Sequence, residues 1–294
     1  VARIAIIGPG AIGCAFAGAA MQSGHEIAVA GRTPFTTLRV DHPDGVVEGP
    51  VEWLDISTVE PRPFVMLATK AHQTVGAAGW IRALCGPDTV LAVLQNGVEH
   101  LERIQPLVGG DAHIVPAMVA CPSDRTAPGH AHVTGRARLE VPSGAAGAAF
   151  RAIFDGSYAD VQLTDDWLSA AWRKLVLNAA GGGIGVLTRR GNDALSDDDL
   201  AAVFVALADE VVAVGRAEGA RLDDDLADGL LRALQGSVGT HVPSIVVDRI
   251  AGRPTEWQAR NEVVVRIAQR HGIAVPMNHL LTTLIRAGEP QVGL

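Results

Sequence analysis

The stretch RIAIIGPGAIGCAFAGAA, residues 3–20, decides how the chain folds. Arg3 to Ile7 are nearly all apolar on successive positions, the pattern of a strand covered on both faces in a parallel sheet. GPGAIG follows, with Gly8, Gly10 and Gly13 spaced as G-x-G-x-x-G at the start of a helical pattern. The glycines serve different physical ends, since Gly8 permits a tight turn, Gly10 lets backbone approach a pyrophosphate, and Gly13 allows close packing. The helix N-terminus attracts the anion. The segment Gly8, Pro9, Gly10, Ala11, Ile12 and Gly13 is therefore expected to line a bound dinucleotide. The same run imitates a secretion signal in its charge, apolar stretch and small residues, but Gly8, Pro9 and Gly10 would break such a helix near its start.

Working outward, strand-like runs recur at 25–31, 63–70, 89–97 and 113–120, separated by amphipathic stretches suited to crossover helices. The expected fold is α/β, with an N-terminal doubly wound Rossmann-type sheet. GHAHVTGRARLEVP (129–142) and DVQLTD (160–165) are expected to add strands that close the sheet edge. From Asp166 the periodicity turns helical, as in DWLSAAWRKLVLNAA before a run of three glycines, and a C-terminal all-α domain follows. The boundary is placed near residue 165. It assigns 1–165 to the dinucleotide-binding sheet domain and 166–294 to the helical domain. SDDD (196–199) and RLDDDL (221–226) read as helix starts, the first capped by Ser196 or Asp197. AAVFVALADEVVAVG (201–215) reads either as a buried core helix or as a homodimer contact.

Composition narrows the partners. With 24 Lys+Arg against 32 Asp+Glu the formal net charge is -8, which repels polyphosphate backbones and argues against nucleic acid. Cys14, Cys85 and Cys121 are far apart and form no CxxC, so they read as reduced thiols of a cytoplasmic protein rather than a disulfide or zinc framework. The histidines show no metal-ligand spacing, and no metal is expected. No segment has the apolar length that crossing a bilayer requires.

The end of the second strand selects the dinucleotide. An NAD site wants an acid there for the ribose 2′-hydroxyl, whereas this chain has Gly31 and Arg32 followed by Thr33. A guanidinium suits a 2′-phosphate, so NADPH is the expected cofactor. Lys70 and Gln73 follow the third strand, and Asn96 with Gly97 follows the fourth. Ligands in open α/β sheets bind beyond these strand ends. Lys70 could equally be a surface lysine, and Asn-Gly only a turn. Further on, Lys174 and Asn178 are four residues apart and so share one helix face. Trp172, Leu175 and Leu168 are expected to pack the opposite side.

Taken together, GPGAIG, K-A-x-Q (70–73), QNG (95–97), WRKL-x-x-N (172–178), PSI-x-x-D (243–248), GRPTE (252–256) and HGIAVPMN (271–278) resemble the ketopantoate reductase family over nearly the whole chain. The resemblance implies NADPH-dependent reduction of a small 2-oxo acid, 2-dehydropantoate, to pantoate on the route to pantothenate and coenzyme A. It implies that Lys174 is the general acid, that Glu256 completes the site and touches cofactor, and that Asn96 stands where nicotinamide and substrate meet. Asn178, Asn192 and Ser244 match substrate contacts; Arg32 and Lys70 match cofactor-phosphate contacts; Ala120 falls near a further cofactor contact. The chain departs from the family pattern at Gly182, where an asparagine is usual, and at His241, Trp257 and Gln258. The alternatives are a paralogous NADPH-dependent reductase of another 2-oxo acid, and a dinucleotide-binding sensor without turnover.

Overall fold

The computed structural model describes residues 1–109, 112–236 and 242–290. The chain divides into two compact units, Val1–Trp167 and Leu168–Leu294.

In chain order, the first unit contains β1 (Arg3–Ile7), α1 (Ala11–Gln22), β2 (Glu26–Ala30), β3 (Thr37–His42), β4 (Gly45–Pro50), β5 (Glu52–Trp53) and β6 (Phe64–Leu67). It continues with α2 (Thr74–Leu84), β7 (Val90–Val93), α3 (His100–Ile104), β8 (His113–Pro116), β9 (Met118–Ala120) and β10 (Ser123–Ala127). β11 (His130–Val133), β12 (Ala137–Pro142), α4 (Ala145–Ala152) and β13 (Ala159–Thr164) complete it. Six strands form a parallel sheet in the order β5-β2-β1-β6-β7-β8. Ile4 and Ile6 of β1 pack on one face with α1, while Ala5 and Ile7 pack on the other with Ile81 and Leu84 of α2. Helices on both faces are the reason the strands are apolar on successive residues.

The strands at 129–142 and 160–165 do not close that sheet. They belong to two smaller sheets, β10-β11-β3-β4 and β13-β12-β9. The physical reason is visible along β12, whose residues alternate between buried and accessible. A strand with one apolar face suits a sheet that packs on one side only, not a central place in a doubly covered one. The run at 113–120 is divided for the same purpose, β8 ending in the parallel sheet and β9 pairing antiparallel with β12.

The second unit is helical. Its first helix, α5 (Trp167–Thr188), starts one residue before the unit boundary and runs straight through Gly181, Gly182, Gly183 and Gly185 instead of stopping at them. Glycine is a poor helix former, but here close packing decides. A Cβ on Gly183 would stand 2.5 Å from Leu281 Cδ2, and one on Gly185 would stand 2.6 Å from Val246 Cγ2. Next come α6 (Asp198–Ala217), α7 (Leu226–Gly236), α8 (Ser244–Ile250), a π-helical turn (Gln258–Glu262), α9 (Val263–His271) and α10 (Pro276–Ala287). Asp197 caps α6, its side chain accepting from Asp199 N and Leu200 N at 3.0 and 3.1 Å. Phe204, Leu207, Ala208 and Val211 of α6 are buried, so the 201–215 run supplies core on one face. Glu210 on α6 accepts from Met277 N and Asn278 N at 2.9 and 2.8 Å, holding the start of α10. Among the described residues, no helix is long and apolar enough to cross a membrane.

Candidate active site

In the first unit, β1 lies between β2 and β6, where the strand order reverses, and the loops leaving β1, β2, β6 and β7 follow their carboxyl ends. That edge is where open α/β sheets bind ligands. Gly8 takes φ +89°, and a Cβ there would stand 2.7 Å from Thr69 Cγ2 and 2.8 Å from Thr69 N, so only glycine lets the β1 and β6 loops come this close. Gly13 is equally constrained, since its Cβ would meet Gly8 O at 2.4 Å. Gly10 is different: a Cβ there would find nothing within 4 Å. Open space therefore faces the N-terminus of α1, which has Gly10 as N-cap and no side-chain cap. Pro9 is buried against Gly31, while Ala11 and Ile12 are half-buried in the first turn. An uncapped helix start beside unfilled space fits a pyrophosphate.

The other candidates in this unit occupy the neighbouring loops. Arg32 is exposed just past β2, and Lys70 is half-buried just past β6. Gln73 shapes its own loop, its Oε1 accepting from Lys70 N at 3.3 Å. Asn96 is half-buried and precedes Gly97, which has φ +103°. Ala120 ends β9, outside the parallel sheet, and is exposed opposite Arg138. A residue not singled out from the sequence holds this arrangement together. Buried Gln95 donates from Nε2 to Thr69 O at 3.1 Å and Thr74 Oγ1 at 2.9 Å, and its Oε1 accepts from Arg103 Nη1 at 2.9 Å. His100 Nε2 lies 2.8 Å from Gln95 O. Gln95 thus ties the β7 loop, with Asn96 next to it, to the β6 loop. A polar residue closing an otherwise apolar strand run was the available signal.

The second unit gathers a charged cluster. Lys174 and Asn178 project from α5 one turn apart, both half-buried, while Trp172 and Leu175 pack inward. Leu168 does not join them: it is 37% exposed, lying at the first turn of α5 where core packing has not yet begun. The Lys174 side chain keeps partial accessibility, but its amine is densely surrounded and its pKa is pushed down from 10.5 to about 7. Loss of solvent is the main cause, the Arg260 charge adds to it, and Glu256 opposes both.

Glu256 is 3% exposed and is placed by its neighbours. Thr255 donates from N and Oγ1 to the Glu289 carboxylate at 3.0 and 2.6 Å. Arg253 binds Asp248 Oδ1 through Nε at 3.0 Å, fixing the loop that leads to Thr255. Ser244 opens α8, and its hydroxyl accepts from Arg260 Nη2 at 2.9 Å. Asn261 donates from Nδ2 to Ala179 O at 2.9 Å, fastening the π turn to α5. The structure therefore brings Lys174, Glu256 and Ser244 together around Arg260. Asn192, half-buried, opens the 3-10 turn Asn192–Ser196, and among the described residues no hydrogen bond ties it to the cluster.

Arg260 was not legible as a site residue, because WQARNE reads as an ordinary helix face. A π turn carries an extra residue and turns side chains away from their α-helical positions. Of the departures from the family pattern, Trp257 is buried and Gln258 is exposed, while Gly182 lies beside Arg260. His241 lies outside the described residues. All three cysteines are unpaired, and burial raises their thiols, Cys14 and Cys85 to about 12 and Cys121 to about 11. Among the described residues no group of three or more His, Cys, Asp or Glu could hold a metal ion.

Comparison with known proteins adds a second line. Two family profiles match the chain, ketopantoate reductase PanE/ApbA over residues 4–146 and ketopantoate reductase PanE/ApbA C terminal over residues 166–289. A 2-dehydropantoate 2-reductase of Mycobacterium tuberculosis is 40% identical, the match covering 99% of each chain. One from Caulobacter vibrioides is 39% identical over 97% of this chain and 98% of its own. A PanE/ApbA family ketopantoate reductase from Ralstonia eutropha superposes with a TM-score of 0.89 at 29% identity, covering 98% of each chain.

The glycine geometry predicts a contrast. Gly13→Ala forces backbone apart and should lower the thermal unfolding midpoint, whereas Gly10→Ala should leave the midpoint nearly unchanged and instead abolish the stabilisation that an added dinucleotide confers. Thermal melts with and without NADPH check this, and equal midpoints for the two variants would contradict it.

Proposed function

The chain belongs to the ketopantoate reductase family, and on that premise we propose that it reduces 2-dehydropantoate to pantoate with NADPH, a step toward pantothenate and coenzyme A. The observation that carries this reading is the enclosed Lys174 amine, held in one cluster with the buried Glu256.

Gly8, Pro9, Gly10, Ala11, Ile12 and Gly13 would hold the pyrophosphate at the start of α1. Lys70 and Gln73 would flank it, and Ala120 would add a backbone contact. Arg32 would take the 2′-phosphate, its planar fork suiting three charged oxygens. A bound NADPH supplies the hydride that reduces the ketone carbon.

The remaining work falls to side chains. Lys174 donates a proton from Nζ to the ketone oxygen and neutralises the alkoxide that would otherwise form. With a pKa of about 7 the ammonium is well matched to proton transfer near neutral pH. Because the side chain is partly accessible, solvent can return the proton. Glu256 would orient the amine and accept from the substrate hydroxyl, and the family resemblance makes it a cofactor contact as well. Asn178, Asn192 and Ser244 would bind the polar edges of the substrate. Asn96, braced by Gln95, would stand at the nicotinamide. Retention of Lys174 with Glu256 supports an enzyme over a sensor without turnover.

Steady-state NADPH oxidation with 2-dehydropantoate beside other 2-oxo acids tests the substrate: the highest specificity constant should fall on 2-dehydropantoate. Lys174→Ala should lower turnover by orders of magnitude while NADPH binding survives; a loss under tenfold, about 1.4 kcal/mol, would remove the acid role. The pH profile has a definite sign. A general acid must be protonated, so kcat/KM for reduction should be level below about pH 7 and fall above it as Lys174 loses its proton. Arg32→Ala should weaken NADPH far more than NADH, and equal weakening in titrations of both would show that this guanidinium does not read the 2′-phosphate.

A further inference from the structure

The π turn delivers a guanidinium that the mechanism above does not use. Arg260 is 3% exposed. Nη2 donates to Ser244 Oγ at 2.9 Å, and the same nitrogen is 3.9 Å from Glu256 Oε2, too far for a hydrogen bond. Its buried Nε has no hydrogen-bond partner among the described residues. A guanidinium has five donors and no way to shed its charge, so burying one with a donor unmet is costly unless something else arrives to accept.

Neighbouring carboxylates leave that donor unmet. Asp248 and Glu256, both buried, oppose the charge of Arg260. Asp248 is bonded by Arg253 through Nε and Nη2, both at 3.0 Å, and among the described residues Arg260 hydrogen-bonds only to Ser244. A planar anion would satisfy the donors that remain.

The flank of Arg260 packs closely on α5. Gly182 sits in mid-helix, where glycine weakens α5, and its missing side chain would stand 3.8 Å from Arg260 Nη1 and 3.3 Å from Ile245 Cγ2. A larger residue would crowd Ile245 and press on that edge of the guanidinium.

We propose that Arg260 binds the substrate carboxylate through its fork and so selects 2-oxo acids over neutral ketones. The assignment rests on the functional reading above. A 2-oxo acid carries its carboxylate on the carbon next to the ketone, so the cation that holds it must neighbour the proton donor. Arg260 meets that condition, lying near enough for its charge to depress Lys174. Ser244, bonded to Nη2, keeps the fork in place. Planar pairing of guanidinium and carboxylate supplies direction as well as charge.

The test compares wild type, Arg260→Leu and Arg260→Lys in NADPH oxidation with 2-dehydropantoate and with its lactone, which keeps the ketone but has no carboxylate. For Arg260→Leu, the ratio of kcat/KM for the acid to that for the lactone should fall at least hundredfold, mostly through KM, and added guanidinium ion should restore part of the acid activity. Arg260→Lys keeps charge without the fork and should lower the same ratio about tenfold. NADPH binding reports folding; if Arg260→Leu fails to bind it, the lysine variant decides. A ratio within threefold of wild type in the variant that folds overturns the assignment alone. A wild type that oxidises NADPH with no 2-oxo acid overturns the functional reading, and this assignment falls with it.

Discussion

Withdrawing an ammonium from water is costly even after a protein relaxes around it, and the second unit holds a half-buried Lys174 with a fully buried arginine nearby. The surrounding packing makes this tolerable. Glycines on α5 admit α8 and α10 to near-backbone contact, and Asn261 anchors the π turn to the carbonyl of Ala179. Glu256 supplies the opposing charge, and Glu289 fixes Thr255 beside it. Shifting any of these would leave two cations with less compensation. The arrangement is one that stability alone would not select, as functional sites commonly are.

In the first unit the governing constraint is distance between backbones. Gly8 must pass within contact of Thr69, and Gly13 within contact of Gly8 O, before β1 and β6 can present their loops side by side. Gln95 then couples the loops after β6 and β7 with hydrogen bonds to Thr69 and Thr74. Three strand ends are thereby registered by two glycines and one amide. Ligand contacts placed on such loops are positioned by the sheet rather than by the loops' own stiffness.

Much of this was legible in residues 3–20 and in the successive apolar strands, because burial on both faces leaves an unmistakable pattern. The smaller sheets were harder. TLRVDH at 37–42 and GVVEGP at 45–50 are short, half-polar strands whose pairing depends on partners far along the chain, β3 joining β11 across about ninety residues. The extent of α5 was obscured for a different reason: glycine propensity says stop, and only the close approach of Leu281 and Val246 says continue. Lys174 and Glu256 could be picked out through motif resemblance, whereas Arg260 could not, since its inward direction arises from a π turn that helical periodicity does not encode. Gln95 escaped because it looks like the last residue of a strand.

The depressed lysine links catalysis to stability with a definite sign. Between about pH 7 and the ordinary value of 10.5 the unfolded chain holds a proton on Lys174 that the folded chain has released. Stability rises with pH wherever the unfolded state binds more protons, so across this window the fold gains as pH climbs, and below about 7 it bears the full cost of the buried charge. The protonated form, the donor in the proposed reaction, is thus the less stable one. An anion bound beside Arg260 would shift this balance, since it would offset the arginine charge that adds to desolvation in lowering the lysine's pKa. On the proposed mechanism, substrate binding and protonation of the acid would favour one another. A carboxylate ligand would then promote the protonated state that reduction needs, and relieve the cost of the desolvated charge when the ligand is present to use it.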